Sequence, residues 1–286
     1  MAAKVLPTQG KDSPFETLLQ VMAELRGPKG CPWDKKQTHA SLTACLLEET
    51  YEVLDAIEKG DSRNLKEELG DLLLQVVFHA QIAKEEKQFD IQGVIQSLQE
   101  KLVRRHPHVF GDEKVDHADE AIHRWEKIKA AERGVDKSVL SGVPEKLPAL
   151  LRAYRLGAKA SRVGFDWLKL GDVLEKVEEE LKELHEEIRK AELEQQKPQR
   201  PDAEGAGPNV AAVEEELGDL LFALSQAARF LKINPEDSLR KSTRKFQKRF
   251  EFIEMKLREQ GSEFSDVSPS RLEELWTQAK SYTETV

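Results

Sequence analysis

The sequence predicts an all-α protein built as two tandem helical bundles. Three observations carry that expectation. Leu, Glu, Lys and Ala dominate a chain that is only 6% aromatic, and β-branched alternation is scarce. Apolar residues recur at spacings of three and four through most of the length. A string of six residues, Glu68-Leu69-Gly70-Asp71-Leu72-Leu73, returns unchanged as Glu216-Leu217-Gly218-Asp219-Leu220-Leu221. The 286 residues accommodate one large or two ordinary domains. The repeat selects two: residues 1–135, a linker over 136–152, and residues 153–286.

Taken in order, residues 1–12 carry no helical pattern, and Pro14 opens a first helix. Phe15, Leu18, Leu19, Met22 and Leu25 form its apolar side, and Gly27-Pro28 ends it. Gly30-Cys31-Pro32-Trp33-Asp34 is a loop whose Trp33 serves either as a hydrophobic plug or as part of a substrate pocket. An acidic helix over 41–59 stops at Gly60, and a second covers 64–86. A helix over 90–105 carries Lys101 and Arg105, and one over 118–133 carries Trp125 and Lys129. His106 and His108 flank a proline, but a histidine metal site there would be remote from the oxygen-rich one. After the Gly- and Pro-punctuated linker the pattern restarts. Gly164-Phe165-Asp166-Trp167 takes the place of the first loop and reads either as a packed aromatic corner or as part of a site. Helices over 172–195 and 211–231 follow, separated by a Pro- and Gly-rich insert at 197–209 expected to be a disordered surface loop. Lys245, Arg249, Trp276 and Lys280 close the second half.

The chemistry is in the acids. Upstream of each six-residue string lies a Glu-Glu-x-x-Glu cluster: Glu48, Glu49 and Glu52 in the first half, Glu179, Glu180 and Glu183 in the second. Residues three apart share a helix face, so Glu49 pairs with Glu52 and Glu68 with Asp71. Two such helices packed antiparallel aim four carboxylates into one gap. Four carboxylates cannot all ionise unopposed, and a divalent cation resolves the conflict. All-oxygen ligands suit Mg²⁺ or Mn²⁺. Gly70 and Gly218 cost roughly 1 kcal/mol each inside a helix, which a close approach by another backbone or a ligand would explain. Any single acidic cluster in a chain that is 34% charged reads equally as a solvated face; the ordered repetition points to a site.

Lys-x-x-x-Arg and Trp-x-x-x-Lys then follow in register in both halves. Acids for a metal, cations for phosphates and an indole for a ring together describe a site for a metal-bound nucleotide. No Gly-rich phosphate loop of the Walker type is present, which argues against a P-loop NTPase; with no Cys or Ser nucleophile context, metal-activated water is the economical nucleophile. A net charge of −9 argues against a nucleic-acid coat or a polybasic membrane patch. Cys31 and Cys45 lack metal-ligand spacing and fit a reducing compartment. With no signal-peptide or membrane-spanning run, a cytoplasmic protein is expected.

These motifs, with Arg104-Arg105-His106-Pro107-His108-Val109-Phe110, resemble those of the MazG-type nucleoside triphosphate pyrophosphohydrolases, of the all-α NTP pyrophosphatase superfamily. The resemblance covers nearly the whole chain. It implies two MazG-like bundles, completed by homodimerisation, that cleave NTPs or dNTPs between the α and β phosphorus atoms with Mg²⁺, cleaning or regulating nucleotide pools. It implies metal ligands at Glu180, Glu183, Glu216 and Asp219, and at Glu49, Glu52, Glu68 and Asp71. Glu179 and Lys176 would lie at the phosphates or the water. Lys245 and Arg249 (Lys101 and Arg105 in the first half) would hold the triphosphate, and Trp276 would face the nucleoside. In two-domain relatives the second half is the main catalyst, but here both halves keep the acidic motif, so the motif letters do not silence the first. Three other readings stand beside this one. They are a nucleotide-binding regulatory or scaffold protein without turnover, a purely structural helical dimer, and a narrower dUTP- or dCTP-type pyrophosphatase.

Overall fold

The computed structural model describes residues 13–115, 117–132, 138–195 and 210–284. Twelve α-helices and one short 3-10 turn account for its regular structure, and no strand occurs among the described residues. The all-α expectation is therefore met. The chain divides into two compact units, residues 1–133 and 134–286.

In the first unit, α1 (Pro14–Arg26) starts at a capping box in which Ser13 and Glu16 satisfy each other's backbone N–H groups. A short helix, α2 (Pro32–Lys36), lies inside the expected loop. Helices α3 (Thr43–Lys59) and α4 (Ser62–Glu85) form a hairpin. Its two-residue connection is built from Gly60, left-handed at φ 65°, and Asp61, whose carboxylate accepts from the Arg63 and Asn64 N–H groups. The remaining helices are α5 (Ile91–Arg105), α6 (Pro107–Phe110) and α7 (Ala118–Ala131). Met22, Leu42, Val77, Phe78 and Ile82 form the core, flanked by Phe15, Leu18, Leu19 and Leu74. Arg26 locks α1 to α4: it grips Glu85 (2.7 Å) and donates to the Asp34 carbonyl (2.6 Å) and the Gln37 carbonyl (3.2 Å). That grip holds the Glu85 carboxyl below the usual carboxylate range.

In the second unit, α8 (Ala149–Ser161) begins right after Pro148, so residues 149–152 of the expected linker are helical. A proline at a helix entrance presets the backbone rather than prolonging a loop. Helix α9 (Leu170–Gln195) packs along α10 (Val210–Phe230), and α8 covers α10. Gln226 is fully buried at that junction, donating to the Ala153 carbonyl (2.9 Å) and accepting from Arg229 (2.9 Å). Helices α11 (Pro235–Glu259) and α12 (Pro269–Glu284) pair around Ile253, Leu257 and Leu275, with Trp276 packed against them. The insert at 197–209 lies outside the described residues. No described helix is long and apolar enough to cross a membrane.

Candidate metal and nucleotide site

The α3–α4 hairpin brings Glu49, Glu68 and Asp71 together; the α9–α10 pair does the same for Glu180, Glu216 and Asp219. In each set, one carboxylate oxygen per residue lies within 4.8 Å of the others. Helical spacing explains this: Glu68 and Asp71 are three apart, as are Glu216 and Asp219, and each pair faces a glutamate on the neighbouring helix. Glu52 and Glu183 stand outside the tight sets and are exposed. They are close enough for their charge to act, because Glu52 helps raise the Glu68 carboxyl and Glu183 helps raise Glu216.

The electrostatics are those of crowded acids. Burial first, then the charges of Asp71, Glu52 and Glu68, push the Glu49 carboxyl above its usual value. Burial and the neighbouring acids likewise raise Glu68 and Glu216. Three oxygen donors held together against their own repulsion fit a hard divalent cation.

The two sets differ in one cation. Lys176 donates to Glu180 (2.7 Å) and to Glu179 (3.0 Å), and its own pKa is driven upward by those bonds. Glu180 is only 5% exposed, so this lysine supplies the charge that a desolvated carboxylate needs. In the first half, Cys45 stands where Lys176 stands, four residues before the second glutamate of the cluster.

The downstream motifs also match in geometry. The Arg105 guanidinium lies 5.5 Å from the Trp125 ring centroid, and Arg249 lies 5.8 Å from that of Trp276. Lys129 sits 4.6 Å from the Trp125 ring. Trp276 also meets Phe246, their centroids 5.3 Å apart. Lys101 and Lys245 are exposed on α5 and α11. Trp33 is 57% exposed, so it is not a buried plug; in the second loop Phe165 is 81% exposed while Trp167 is half-buried. Asp166 instead anchors the second loop by accepting from both terminal nitrogens of Arg229. His106 and His108 belong to no metal-competent cluster among the described residues.

One partner was not legible in the sequence. Glu132 accepts from Arg104 (2.8 Å) and Arg105 (2.5 Å), and those guanidiniums, Arg105 foremost, hold its carboxyl down at about 2. Only the packing of α7 on α5 joins residues so far apart in the chain. Gly70 and Gly218 are also informative: a Cβ added at either would meet no atom within 4 Å. The close approach that would account for them does not come from the described residues of this chain.

Comparison with known proteins agrees with this geometry. The model of the MazG nucleotide pyrophosphohydrolase domain matches twice, at residues 37–110 and 170–252. The two matches hold the two carboxylate sets, in keeping with tandem domains. The Nucleoside triphosphate pyrophosphohydrolase/pyrophosphatase MazG of Thermotoga maritima is 46% identical over 95% of this chain and 97% of its own. The Nucleoside triphosphate pyrophosphohydrolase of Escherichia coli K12 is 44% identical over 93% of this chain and 97% of its own. The chain belongs to the MazG nucleotide pyrophosphohydrolase family.

Proposed function

We propose that this protein is a nucleoside triphosphate pyrophosphohydrolase that converts NTPs or dNTPs and water to the monophosphate and pyrophosphate. The doubled carboxylate set carries the reading, in a family whose relatives are named for this activity. Glu180, Glu216 and Asp219, with Glu183 beside them, would hold Mg²⁺, or Mn²⁺ in its place. The bound ion would neutralise phosphate charge and lower the pKa of a coordinated water. Glu179 would orient the attacking water and accept its proton, while Lys176 fixes the Glu179 and Glu180 carboxylates. Lys245 and Arg249 hold the phosphates. Trp276, with Arg249 over its ring, faces the nucleoside. Glu49, Glu52, Glu68 and Asp71 would hold metal in the first half in the same way.

The active form is a homodimer. Leu69, Leu73 and Val76 of α4, and Leu217, Leu221 and Leu224 of α10, lie exposed on the helices that carry the acids. Their spacing of three and four makes two apolar stripes that a second copy would bury. The open space at Gly70 and Gly218 lies beside these stripes. A soluble cytoplasmic protein is the corresponding expectation.

Product analysis tests the reaction. A nucleoside triphosphate incubated with the protein and Mg²⁺ should give equal amounts of monophosphate and pyrophosphate, and a chelator should stop it. Release of diphosphate and orthophosphate would replace this reaction with a different one. Binding of nucleotide without any product would favour the regulatory alternative.

A further inference from the structure

His39 and His79 of the first unit face each other with their Nδ1 atoms 2.7 Å apart. The two rings lie nearly parallel, tilted by 5° with centroids 5.0 Å apart. One Nδ1–H therefore donates to the lone pair of the other Nδ1. The Nε2 of His79 is buried and has no hydrogen-bond partner among the described residues. His79 lies on α4, and His39 lies in the stretch that leads into α3. Neither belongs to an acidic set. The second half has no such pair. Leu170 stands as far before Glu180 as His39 stands before Glu49, and Ala227 stands as far after Glu216 as His79 stands after Glu68.

Two polar ties of different chemistry fasten this stretch. At Gln37 the tie is Arg26, which donates to the Gln37 carbonyl (3.2 Å) and grips Glu85 on α4 (2.7 Å). The Glu85 carboxyl is held below the usual carboxylate range, so this tie keeps its charges near neutral pH. At His39 the tie is the imidazole bond, which depends on protons. One added proton leaves a charged donor facing a neutral acceptor, and the bond survives. A second would set two N–H donors and two positive charges 2.7 Å apart with no acceptor between them. Burial and the charge of His39 both push the His79 pKa below its usual value, and no acid counters that shift. The charged groups nearby are engaged or turned elsewhere. Arg26 of α1 and Glu85 are bonded to each other. Residues 43–46, which open α3, carry no charged side chain. Lys35 and Lys36 of α2 are exposed, and Lys84 and Asp90 line a cavity with Val77 and Ala80.

We infer that the His39–His79 contact is a pH-sensitive latch that fastens the entrance of α3 to α4 near neutral pH and releases it on acidification. The fold favours neutral His79, so the latch's contribution is complete above the usual histidine value of 6.5 and is lost as pH falls below it. The release is local. Its reporters are the Leu42, Thr43 and Leu46 amides, which donate to the Thr38, Ala40 and Leu42 carbonyls where the chain enters α3. Because α3 carries Glu49, the latch sits at the root of the first acidic hairpin, and the α9–α10 pair lacks it.

Amide hydrogen exchange of the full-length protein at about pH 7.5 and about pH 5, corrected for the intrinsic pH dependence of exchange, tests this. In wild type, protection at residues 42–46 should fall about tenfold or more on acidification, while residues 173–177 change by less than about threefold. His39→Phe keeps a ring but cannot titrate, so its protection at residues 42–46 should be alike at the two pH values. A titration of the wild-type imidazole nitrogens by NMR needs no variant and serves if His39→Phe does not fold. It should show two coupled steps, the second below the ordinary histidine range. Two independent titrations at the ordinary value would overturn the inference. So would wild-type protection that ignores pH, or the same pH response in His39→Phe.

Discussion

Glu180 and Glu49 occupy corresponding places in the repeat but not corresponding surroundings. Glu180 is nearly buried and bonded to Lys176; Glu49 has Cys45 in the lysine's place and its carboxyl is pushed upward. Lys176→Met would leave the Glu180 carboxylate buried without a partner. Breaking a fully buried pair costs about 3–5 kcal/mol, but Lys176 is over a third exposed, so roughly 1–2 kcal/mol is expected after solvent screening. Thermal melts in chelator should show that loss, and added Mg²⁺ should restore more stability to the variant than to wild type. An equal Mg²⁺ response in both would refute the idea that ion and lysine serve the same carboxylates. Glu132 gives a prediction in pH. Its folded pKa is depressed to about 2 from the usual 4.5, so its contribution is complete above 4.5 and is lost as pH falls towards 2. Acid titration of wild type against Glu132→Gln should show the variant less stable at pH 6, with the two curves converging as pH falls to about 2. Curves that stay parallel throughout would contradict this.

At the scale of elements, helical spacing made much of the site legible and tertiary contact hid the rest. The α3–α4 and α9–α10 pairs, the Gly60 and Asp61 caps between α3 and α4, and three of the four expected acids in each set follow from periodicity and local turn chemistry. Glu52 and Glu183 were grouped with those acids because they share a helix face, yet a face is wide enough to leave one carboxylate outside a gap only 4.8 Å across. Short helices such as α2 and α6 escaped because a single turn shows no periodicity. Glu132 and the buried Gln226 depend on partners from other elements, which spacing cannot supply. Glycine shows the same division. At Gly30 a Cβ would lie 2.1 Å from the Leu25 carbonyl oxygen, so Gly30→Ala must move backbone and should cost about 1–3 kcal/mol in a denaturation series. Gly70→Ala has open space and by helix propensity alone should gain about 1 kcal/mol. If a second copy closes on Gly70, that gain should be accompanied by weaker dimerisation, read from sedimentation. A Gly30→Ala protein as stable as wild type would contradict the description of the first loop.

For the whole molecule, the exposed leucine stripes and the two acidic sets belong to one design. Carboxylates on helices stay in register only if the helices are clamped, and each apolar stripe runs along a helix that carries acids. Leu73→Glu and Leu217→Glu, placed on α4 and α10, should convert a dimer to monomer in sedimentation velocity, with activity falling in parallel. Full activity in a monomeric variant would separate the stripes from the site. The two halves are similar in motif but differ in two features that bear on chemistry. The second half has Lys176 where the first has Cys45, and the first ties Arg104 and Arg105 to Glu132.

These differences support the proposal that turnover resides in the second half, and one measurement tests that most directly. Pyrophosphate release across a panel of NTPs and dNTPs with Mg²⁺ should be compared for wild type, Glu180→Ala/Glu183→Ala and Glu49→Ala/Glu52→Ala. The second-half variant should lose activity by at least about a hundredfold, while the first-half variant keeps most of it. Loss confined to the first-half variant, or full activity in the second-half variant, would contradict the account.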